Sequence, residues 1–237
     1  MIKEKEISLV TGGNRGIGKS IALRLAEEKH DIIIIGRDEK SLKKTSAEII
    51  ETGGSCDYFK GDVADETFVR NSVDEIIKKY GKIDNLINNA GTNVFKKAID
   101  ASLDEFKIQI EANLYGIFNY SKAVLPNMIE RKSGAIINII SLAGKNSFVG
   151  GAMYSASKHA ALGFTKSLML EVREYDIRVS AVCPGSVDTE FFSGSAIKPN
   201  RNKILKPDDI AETVISILRL PVHALISEVD IRPTNPK

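Results

Sequence analysis

A serine, a tyrosine and a lysine stand at a spacing that could serve proton transfer to an oxygen atom. Ser141 closes an apolar run of β type, and Tyr154 opens a helix-like stretch with Lys158 four positions later. Residues four apart share one face of a helix, so the phenol and the ammonium can point at the same place. An isolated phenol has a pKa of about 10, and a neighbouring positive charge lowers that pKa. Such a group can exchange a proton with a carbonyl or alcohol oxygen, and the serine hydroxyl can hydrogen-bond to the same oxygen.

A glycine-rich turn near the start of the chain strengthens this interpretation, because a tyrosine and a lysine four apart also occur on ordinary surface helices. An apolar run of β type, residues 6–11, enters the turn, and a helix pattern follows it. Gly12, Gly16 and Gly18 would permit a tight turn, let the backbone approach a pyrophosphate and let helix and strand pack closely. The helix N-terminus would offer free N–H groups and a partial positive charge to phosphates. The alternative is a plain glycine-rich turn, since three residues rather than one separate the first two of these glycines.

Further motifs follow along the chain. In order, the set is Thr11-Gly12-x-x-x-Gly16-Ile17-Gly18, Asn88-Asn89-Ala90-Gly91, Asn113, Ser141, Tyr154-x-x-x-Lys158 and Pro184-Gly185. Together these motifs resemble the short-chain dehydrogenase/reductase family, whose members include carbonyl reductases and 3-oxoacyl-acyl-carrier-protein reductases. The resemblance implies an oxidoreductase that interconverts a ketone and a secondary alcohol by hydride transfer with a nicotinamide cofactor, on its pro-S side.

The resemblance also implies roles for four candidate catalytic residues. Tyr154 would donate its proton to the carbonyl oxygen, and Ser141 would donate a second hydrogen bond to it. Lys158 would keep the phenol acidic and hold the nicotinamide ribose. Asn113 would support a chain of water molecules that feeds protons to the lysine. The alternative for Asn113 is a side-chain hydrogen bond inside a kinked helix.

The residues after the second strand-like run bear on the choice between NAD and NADP. Enzymes that use NAD usually place a carboxylate at the end of this strand, where it bonds the ribose 2′-hydroxyl. Here that position is Gly36, and Arg37 follows it with a charge and shape suited to a 2′-phosphate. By resemblance Arg15 is a second cation in this region, whereas Asp38 could contact a ribose if the turn is shifted. We therefore expect NADP(H) as the cofactor.

The remaining cofactor contacts that the resemblance implies lie in several segments. They are Gly12, Asn14, Arg15, Gly16, Ile17 and Gly18 in the first turn, Asp62 and Val63 at the adenine, Asn89, Ala90 and Gly91 after the fourth strand, and Pro184, Gly185, Val187 and Thr189 near the nicotinamide carboxamide, in addition to Arg37, Tyr154 and Lys158.

Length and composition favour a single α/β domain over residues 1–237. With 43% hydrophobic residues the chain can form a substantial core. A net charge of +2 and a pI of about 8.4 are too balanced for a nucleic-acid-binding protein. We identify no secretory signal and no apolar run of membrane-spanning length, so we expect no membrane partner. Cys56 and Cys183 lack metal-ligand spacing, which predicts buried free thiols, no metal site and a location in the reducing cytoplasm.

Strand-like and helix-like patterns alternate along the chain. Strands are expected near 6–11, 31–36, 55–60, 84–88, 134–141, 177–183 and 227–232, and helices near 16–29, 39–52, 66–80, 103–131, 153–175 and 207–219. This alternation predicts a doubly wound (Rossmann) parallel sheet of about seven strands with helices on both faces. By resemblance, the two long helices pair across a two-fold axis, so a homodimer or homotetramer is expected.

Residues 186–206 fit neither pattern and are expected to form the substrate loop. In open α/β folds, ligands bind beyond the carboxyl ends of the strands, and this segment follows the sixth strand. The loop contains Phe191 and Phe192, which are followed by Ser193-Gly194-Ser195. Two adjacent phenylalanines on a loop more often cover an apolar site than face water.

Two departures from the family's acyl-carrier-protein reductases bear on the substrate. No glycine pair follows Val229-Asp230, and Leu170 precedes Glu171 where those enzymes tend to have a basic residue. The resemblance therefore favours a small or medium carbonyl or alcohol substrate, with a 3-oxoacyl thioester as the alternative. A third possibility is a non-catalytic NADP(H) sensor, but such proteins usually lack the tyrosine or the lysine that this chain has.

Overall fold

Within the residues that the computed structural model describes, 5–192 and 199–235, seven strands form one parallel sheet. They are β1 (Ile7–Thr11), β2 (Asp31–Gly36), β3 (Ser55–Lys60), β4 (Asn85–Asn88), β5 (Gly134–Ile139), β6 (Ile177–Pro184) and β7 (Glu228–Ile231). The α-helices of the same residues are α1 (Gly16–Glu27), α2 (Glu39–Glu51), α3 (Glu66–Tyr80), α4 (Leu103–Ile110), α5 (Gly116–Arg131), α6 (Ala152–Val172) and α7 (Pro207–Leu218). The strand order β3-β2-β1-β4-β5-β6-β7 confirms the predicted doubly wound sheet in a single domain.

The central strands of the sheet are buried on both faces, which explains their continuous apolar runs, whereas the edge strands β3 and β7 are partly exposed and contain polar residues. In β2 the run Ile32–Ile35 is fully buried, with side chains pointing alternately to the two faces. One core layer lies between the sheet and helices α1, α2 and α7. The other lies between the sheet and helices α3, α5 and α6. Both layers hold the strand ends in fixed positions for a site at the sheet edge.

Three helices start at capping residues that the sequence supplies. The Asp38 carboxylate caps α2, and the Asp65 carboxylate accepts a hydrogen bond from the backbone N–H of Phe68 at the start of α3. Ser102 and Glu105 form a reciprocal capping box at the start of α4. Such side-chain oxygens satisfy backbone N–H groups that have no partner within the helix.

The helix predicted for residues 103–131 is interrupted. A π-helical turn, Glu111–Tyr115, separates α4 from α5. The helix predicted for 153–175 ends at Val172 and continues as a short 3₁₀ turn, Arg173–Tyr175. Among the described residues no helix has both the length and the hydropathy to cross a membrane.

The carboxyl ends of the strands form one edge of the sheet. The strand order reverses between β1 and β4, because β1 pairs with β2 on one side and with β4 on the other. In doubly wound sheets the crevice at such a reversal is where ligands bind. The segments that follow β1, β4, β5 and β6 all begin at this edge.

Candidate active site

The turn between β1 and α1 has the backbone geometry of a pyrophosphate-binding turn. Gly12 and Gly16 have positive φ angles of 63° and 52°, a conformation that other residues rarely adopt. Gly18 packs against the start of the turn, because a Cβ there would overlap the carbonyl oxygen of Gly12. Glycine is therefore required at all three positions for this shape.

The segment after β4 braces the glycine-rich turn. The Thr11 hydroxyl accepts hydrogen bonds from the backbone N–H groups of Asn89 and Ala90, both at 3.0 Å. The Asn89 side-chain amide donates in return to the carbonyl oxygens of Thr11 and Gly12, at 3.0 and 3.2 Å. The structure thus brings these predicted cofactor residues from two strands into one rigid unit.

The N-terminus of α1 faces this unit and has no side-chain cap. Arg15, at the N-cap position, contacts the Glu190 carboxylate at 3.3 Å instead. Thr189 lies over Gly16, since a Cβ on that glycine would come within 3.3 Å of the threonine methyl group. Ile17 packs against the core behind the turn. Uncapped N–H groups at a helix start favour phosphate, so this cradle fits the pyrophosphate of a dinucleotide.

After β2, Arg37 is exposed, whereas the carboxylate of the next residue, Asp38, is already hydrogen-bonded to the backbone. The Arg37 guanidinium is largely exposed and lies 3.5 Å from the Asp62 carboxylate. Asp38 accepts hydrogen bonds from the backbone N–H groups of Lys40 and Ser41, at 3.2 and 3.3 Å. The side-chain hydrogen bond with Ser41 lowers the pKa of Asp38. Asp38 therefore serves as the cap of α2.

Two other predicted cofactor residues are fixed by packing. A Cβ on Gly36 would come within 2.7 Å of the Asn14 side-chain oxygen, and the Asn14 amide donates a 2.7 Å hydrogen bond to the Ser41 hydroxyl. Val63 is buried against Gly116 at the start of α5. Both residues thus line the edge of the sheet near the ends of β2 and β3.

Ser141, Tyr154 and Lys158 come together beyond the carboxyl end of β5. Tyr154 and Lys158 lie one turn apart on α6 and are only 7% and 4% exposed. The Lys158 Nζ lies 6.0 Å from the centre of the Tyr154 ring and donates a 3.1 Å hydrogen bond to the carbonyl oxygen of Ile139. The Ser141 hydroxyl donates a 3.5 Å hydrogen bond to the Pro184 carbonyl and lies near enough to the Tyr154 phenol to favour its ionised form. The three side chains that the spacing singled out therefore share one site.

The pKa of the tyrosine differs from the expectation. Burial raises the pKa of the Tyr154 phenol to about 12, because desolvation penalises the phenolate more than the Ser141 hydroxyl favours it. Burial also lowers the pKa of Lys158 to about 8. The prediction that the lysine brings the phenol pKa down is therefore wrong for this structure, since helical spacing does not reveal how far both groups are removed from water.

Asn113 lies within the π-helical turn and is fully buried. Its side-chain oxygen accepts a hydrogen bond from the Thr92 N–H, and its amide donates to the Thr92 carbonyl, both at 2.9 Å. The amide also donates to the Ser157 hydroxyl at 3.0 Å, and Ser157 donates to the Tyr154 carbonyl at 2.8 Å. Asn113 thus ties the segment after β4 to α6. π-turns inside helices often mark functional sites.

Gly91 stands where these two groups of residues meet. A Cβ on this glycine would come within 2.7 Å of the Asn113 side-chain oxygen and 3.7 Å of the Lys158 Nζ. Only a residue without a side chain leaves both polar groups accessible at this point.

The segment after β6 closes the site on its other side. The Gly185 N–H donates a 2.8 Å hydrogen bond to the Ile231 carbonyl, which fixes the turn after Pro184. Val187 pairs with Leu205 in an isolated parallel bridge, so the predicted substrate loop is joined at its base. Residues 193–198 of that loop, including Ser193-Gly194-Ser195, lie outside the described residues.

A cluster of phenylalanine rings lies beside Tyr154, and two of its members, Phe95 and Phe148, are not predicted from the sequence. Phe95 meets the Tyr154 ring edge-on, with ring centres 5.3 Å apart, and Phe148 lies 5.6 Å from Phe95. Phe191 and Phe192 lie 6.5 and 6.2 Å from Phe95. The positions of Phe95 and Phe148 in the sequence could have indicated a place in the site, because both lie in the segments that follow β4 and β5 at the carboxyl edge of the sheet.

One group of possible metal ligands also comes together in the described part of the chain. Cys183, Glu228 and Asp230 place ligand atoms within 4.8 Å of one another. The Lys145 ammonium lies 2.5 Å from Glu228 and 2.8 Å from Asp230, and Lys166 and Arg232 also pair with these carboxylates, so cations of the protein already neutralise them. We assign no metal to this group.

The fold and site agree with a known family. The sequence profile of the short chain dehydrogenases matches residues 6–199. With the glycine-rich turn, the tyrosine–lysine pair and the parallel sheet in place, the chain belongs to the short-chain dehydrogenase family of oxidoreductases.

Three individual proteins illustrate the similarity. An uncharacterized oxidoreductase of Staphylococcus aureus is 34% identical over 96% of this chain and 97% of its own. A putative ketoacyl reductase of Streptomyces coelicolor is 39% identical over 79% of this chain and 72% of its own. The alcohol dehydrogenase of the archaeon Thermococcus sibiricus, solved with 5-hydroxy-NADP, superposes with a TM-score of 0.90 at 29% identity and covers 98% of this chain and 97% of its own.

Proposed function

We propose that the protein interconverts a ketone and a secondary alcohol with NADP(H), with Tyr154 as the acid and base. The observation that carries this proposal is the buried Tyr154 phenol, which lies near Ser141, against two phenylalanine rings and one helical turn from Lys158. A phenol with a pKa of about 12 is protonated at neutral pH and can donate its proton.

In the reductive direction the Tyr154 Oη gives its proton to the substrate oxygen as negative charge develops there. The Ser141 hydroxyl donates a second hydrogen bond to the same oxygen, which stabilises that charge in a site removed from water. When bound, the reduced nicotinamide supplies the hydride. Gly12, Gly16 and the α1 N-terminus would hold its pyrophosphate.

Lys158 and Asn113 support the tyrosine. The Lys158 ammonium is held by the Ile139 carbonyl, 6.0 Å from the centre of the Tyr154 ring, and we propose that it holds the nicotinamide ribose beside the phenol. The Asn113 amide donates hydrogen bonds to the Ser157 hydroxyl and to the Thr92 carbonyl. These bonds fix the distance between α6 and the segment after β4. We propose that Asn113 also keeps a path for protons open towards Lys158, beside Gly91.

The choice of NADP(H) rests on the end of β2. Asp38, the carboxylate that could bind a ribose hydroxyl, is engaged at the start of α2. Arg37 is exposed and free to turn from Asp62 to a 2′-phosphate, a ligand that a guanidinium binds through two hydrogen bonds. The structural relative from Thermococcus sibiricus was solved with an NADP derivative, which supports this choice.

A second candidate is the reduction of a 3-oxoacyl thioester, which the putative ketoacyl reductase from Streptomyces coelicolor favours. The chemistry at Tyr154 would be the same, and the two candidates differ only in what is attached to the carbonyl group. Both cysteines are free and buried, and we propose that the protein acts in the reducing cytoplasm.

The test is a substrate panel followed by loss of NADPH absorbance. Purified protein would be given simple ketones, and separately a 3-oxoacyl-acyl-carrier-protein thioester, each with NADPH and with NADH. We expect turnover of the ketones with NADPH preferred. Turnover confined to the thioester would replace the first candidate by the second, and turnover of neither would refute both.

A further inference from the structure

The rings around Tyr154 form an aromatic box, which we define as Phe95, Phe148, Phe191 and Phe192. Its members come from three separate segments, those after β4, β5 and β6. Phe95 occupies the centre, since its ring lies between 5.3 and 6.5 Å from Tyr154 and from the other three rings. Phe191 also contacts the Tyr154 ring, at 5.9 Å.

Polar contacts at the backbone hold the box in place. The Asn93 side-chain amide donates a 2.6 Å hydrogen bond to the Phe191 carbonyl, which joins the segment after β4 to the substrate loop. The Phe191 N–H donates to the Thr189 hydroxyl at 3.2 Å. The backbone of Phe191 is therefore held next to the phenol, and binding need not order this part of the box first.

Charges near the box are engaged elsewhere. Lys96, next to Phe95, pairs with Glu105. Lys145, three residues before Phe148, binds Glu228 and Asp230. The acidic residues before Phe191 are paired as well, Asp188 with Lys206 and Arg201, and Glu190 with Arg15. A substrate carboxylate next to the carbonyl would therefore meet ring faces, and the nearby cations already pair with carboxylates of the protein.

We infer that the site takes ketones whose carbonyl carries an uncharged aromatic or cyclic hydrocarbon group, and that Phe95 sets this preference. The inference rests on the proposed function, because it assumes that the substrate oxygen is bound by Tyr154. A carbonyl there places its flanking group against the box. Aromatic rings bind such groups edge to face and exclude water from them, whereas they desolvate a carboxylate without compensation.

The experiment compares four substrates in the full-length protein: acetophenone, cyclohexyl methyl ketone, 2-butanone and acetoacetate. For the wild type we expect kcat/KM for the two cyclic ketones to exceed that for acetoacetate by at least about tenfold. Phe95→Leu should lower kcat/KM for the cyclic ketones by roughly tenfold, mainly through KM, and that for 2-butanone by less than about threefold. Phe148→Leu, at the outer side of the box, should act in the same direction.

Phe59→Leu is the matched control, because Phe59 lies on β3 and packs in the core away from the box. Phe59→Leu should leave the ratios of kcat/KM among the four substrates unchanged. Equal losses for all four substrates in Phe95→Leu would overturn the inference, since they would point to misplacement of Tyr154. A wild-type preference for acetoacetate would overturn it as well.

A binding measurement separates this inference from the proposed function. Saturation-transfer NMR would follow 1-phenylethanol and 3-hydroxybutyrate added to wild type and Phe95→Leu. Saturation transfer to 1-phenylethanol but not to 3-hydroxybutyrate, weakened by Phe95→Leu, would support binding in the aromatic box even if no ketone is turned over. Turnover of ketones with no contact to the aromatic alcohol would keep the function and refute the box.

Discussion

The Lys158 ammonium and the Tyr154 ring lie 6.0 Å apart, measured from nitrogen to ring centre, and both side chains are almost completely buried. The arrangement that suits proton transfer therefore places an ammonium where charge is costly. Burial lowers the pKa of Lys158 to about 8 from its ordinary value of 10.5. At neutral pH this corresponds to a penalty on the order of 3 kcal/mol in the free energy of unfolding.

The first prediction is that Lys158→Met stabilises the protein at neutral pH while removing its activity. We expect the free energy of unfolding to rise by on the order of 2 kcal/mol at pH 7, which is less than the full penalty because the hydrogen bond to Ile139 is lost. Urea unfolding of wild type and variant measures the difference.

The pH dependence of that difference identifies its cause. The folded pKa of Lys158 lies below its unfolded value, so the penalty is complete below about pH 8 and absent above about pH 10.5. The stability gap between variant and wild type should fall by about 2 kcal/mol between pH 7 and pH 9.5, which removes most of it. The raised pKa of Tyr154 acts only at higher pH, where stability is lost between about pH 10 and 12.

Lys166→Met is the control. Lys166 lies on the same helix but is exposed, so this variant should show no such dependence of stability on pH. A Lys158→Met variant that is less stable than wild type at pH 7 would contradict the account.

The second prediction concerns the cofactor. Arg37→Ala should raise the Kd for NADPH by roughly 10- to 100-fold, because a hydrogen-bonded charge on the 2′-phosphate is lost, and change the Kd for NADH by less than about threefold. Calorimetric titration measures both constants. Stability should change by less than about 1 kcal/mol, since the pair with Asp62 is exposed. Arg70→Ala on α3 is the control, and equal weakening of the two cofactors by Arg37→Ala would remove the 2′-phosphate role.

The third prediction separates structure from chemistry at Asn113. Asn113→Ala should lower the free energy of unfolding by about 1–3 kcal/mol, because the Thr92 backbone and the Ser157 hydroxyl lose buried partners. Activity should fall by more than tenfold through kcat.

Asn85→Ala is its matched control. Asn85 is also buried and donates to Glu6 and Ser8, but it lies at the start of β4, at the opposite edge of the sheet. The two variants should lose similar stability in urea, and only Asn113→Ala should lose turnover. Similar activity in both would mean that Asn113 is purely structural.

The fourth prediction tests the expected assembly through α5 and α6. Several large apolar side chains are exposed on this side of the molecule: Tyr115, Phe118 and Leu170, at 50%, 42% and 59%. We propose that a second copy covers them. Phe118→Glu should then shift the molecular mass measured by light scattering towards the monomer, whereas Ile50→Glu on α2 should not. A monomeric wild type would refute this assembly.

Much of the fold follows from local sequence patterns. Strand β2 was predicted at its observed bounds because isoleucines buried on both faces leave a continuous apolar run. The predicted helices 39–52 and 66–80 agree with α2 and α3 within a residue, and the structure shows that Asp38 and Asp65 cap their starts. Several predicted motifs also come together, since the glycine-rich turn, the segment 89–91, Ser141 and Gly185 each follow a strand that ends at the same edge of the sheet.

What the sequence could not provide depends on contacts between distant segments. The π-turn at Asn113 exists because its side chain bonds to Thr92, across a loop that periodicity does not describe. The raised pKa of Tyr154 results from burial by several elements. Phe95 became visible as a site residue only once the segment after β4 was seen to meet the substrate loop.

The central claim is that the Tyr154 hydroxyl transfers the proton, and the most direct measurement compares turnover with cofactor binding in Tyr154→Phe. This change removes one oxygen and keeps the ring that packs against Phe95. We predict that kcat for a ketone substrate falls by at least about a thousandfold, while the Kd for NADPH stays within about threefold of wild type. A variant that retains wild-type turnover would contradict the account.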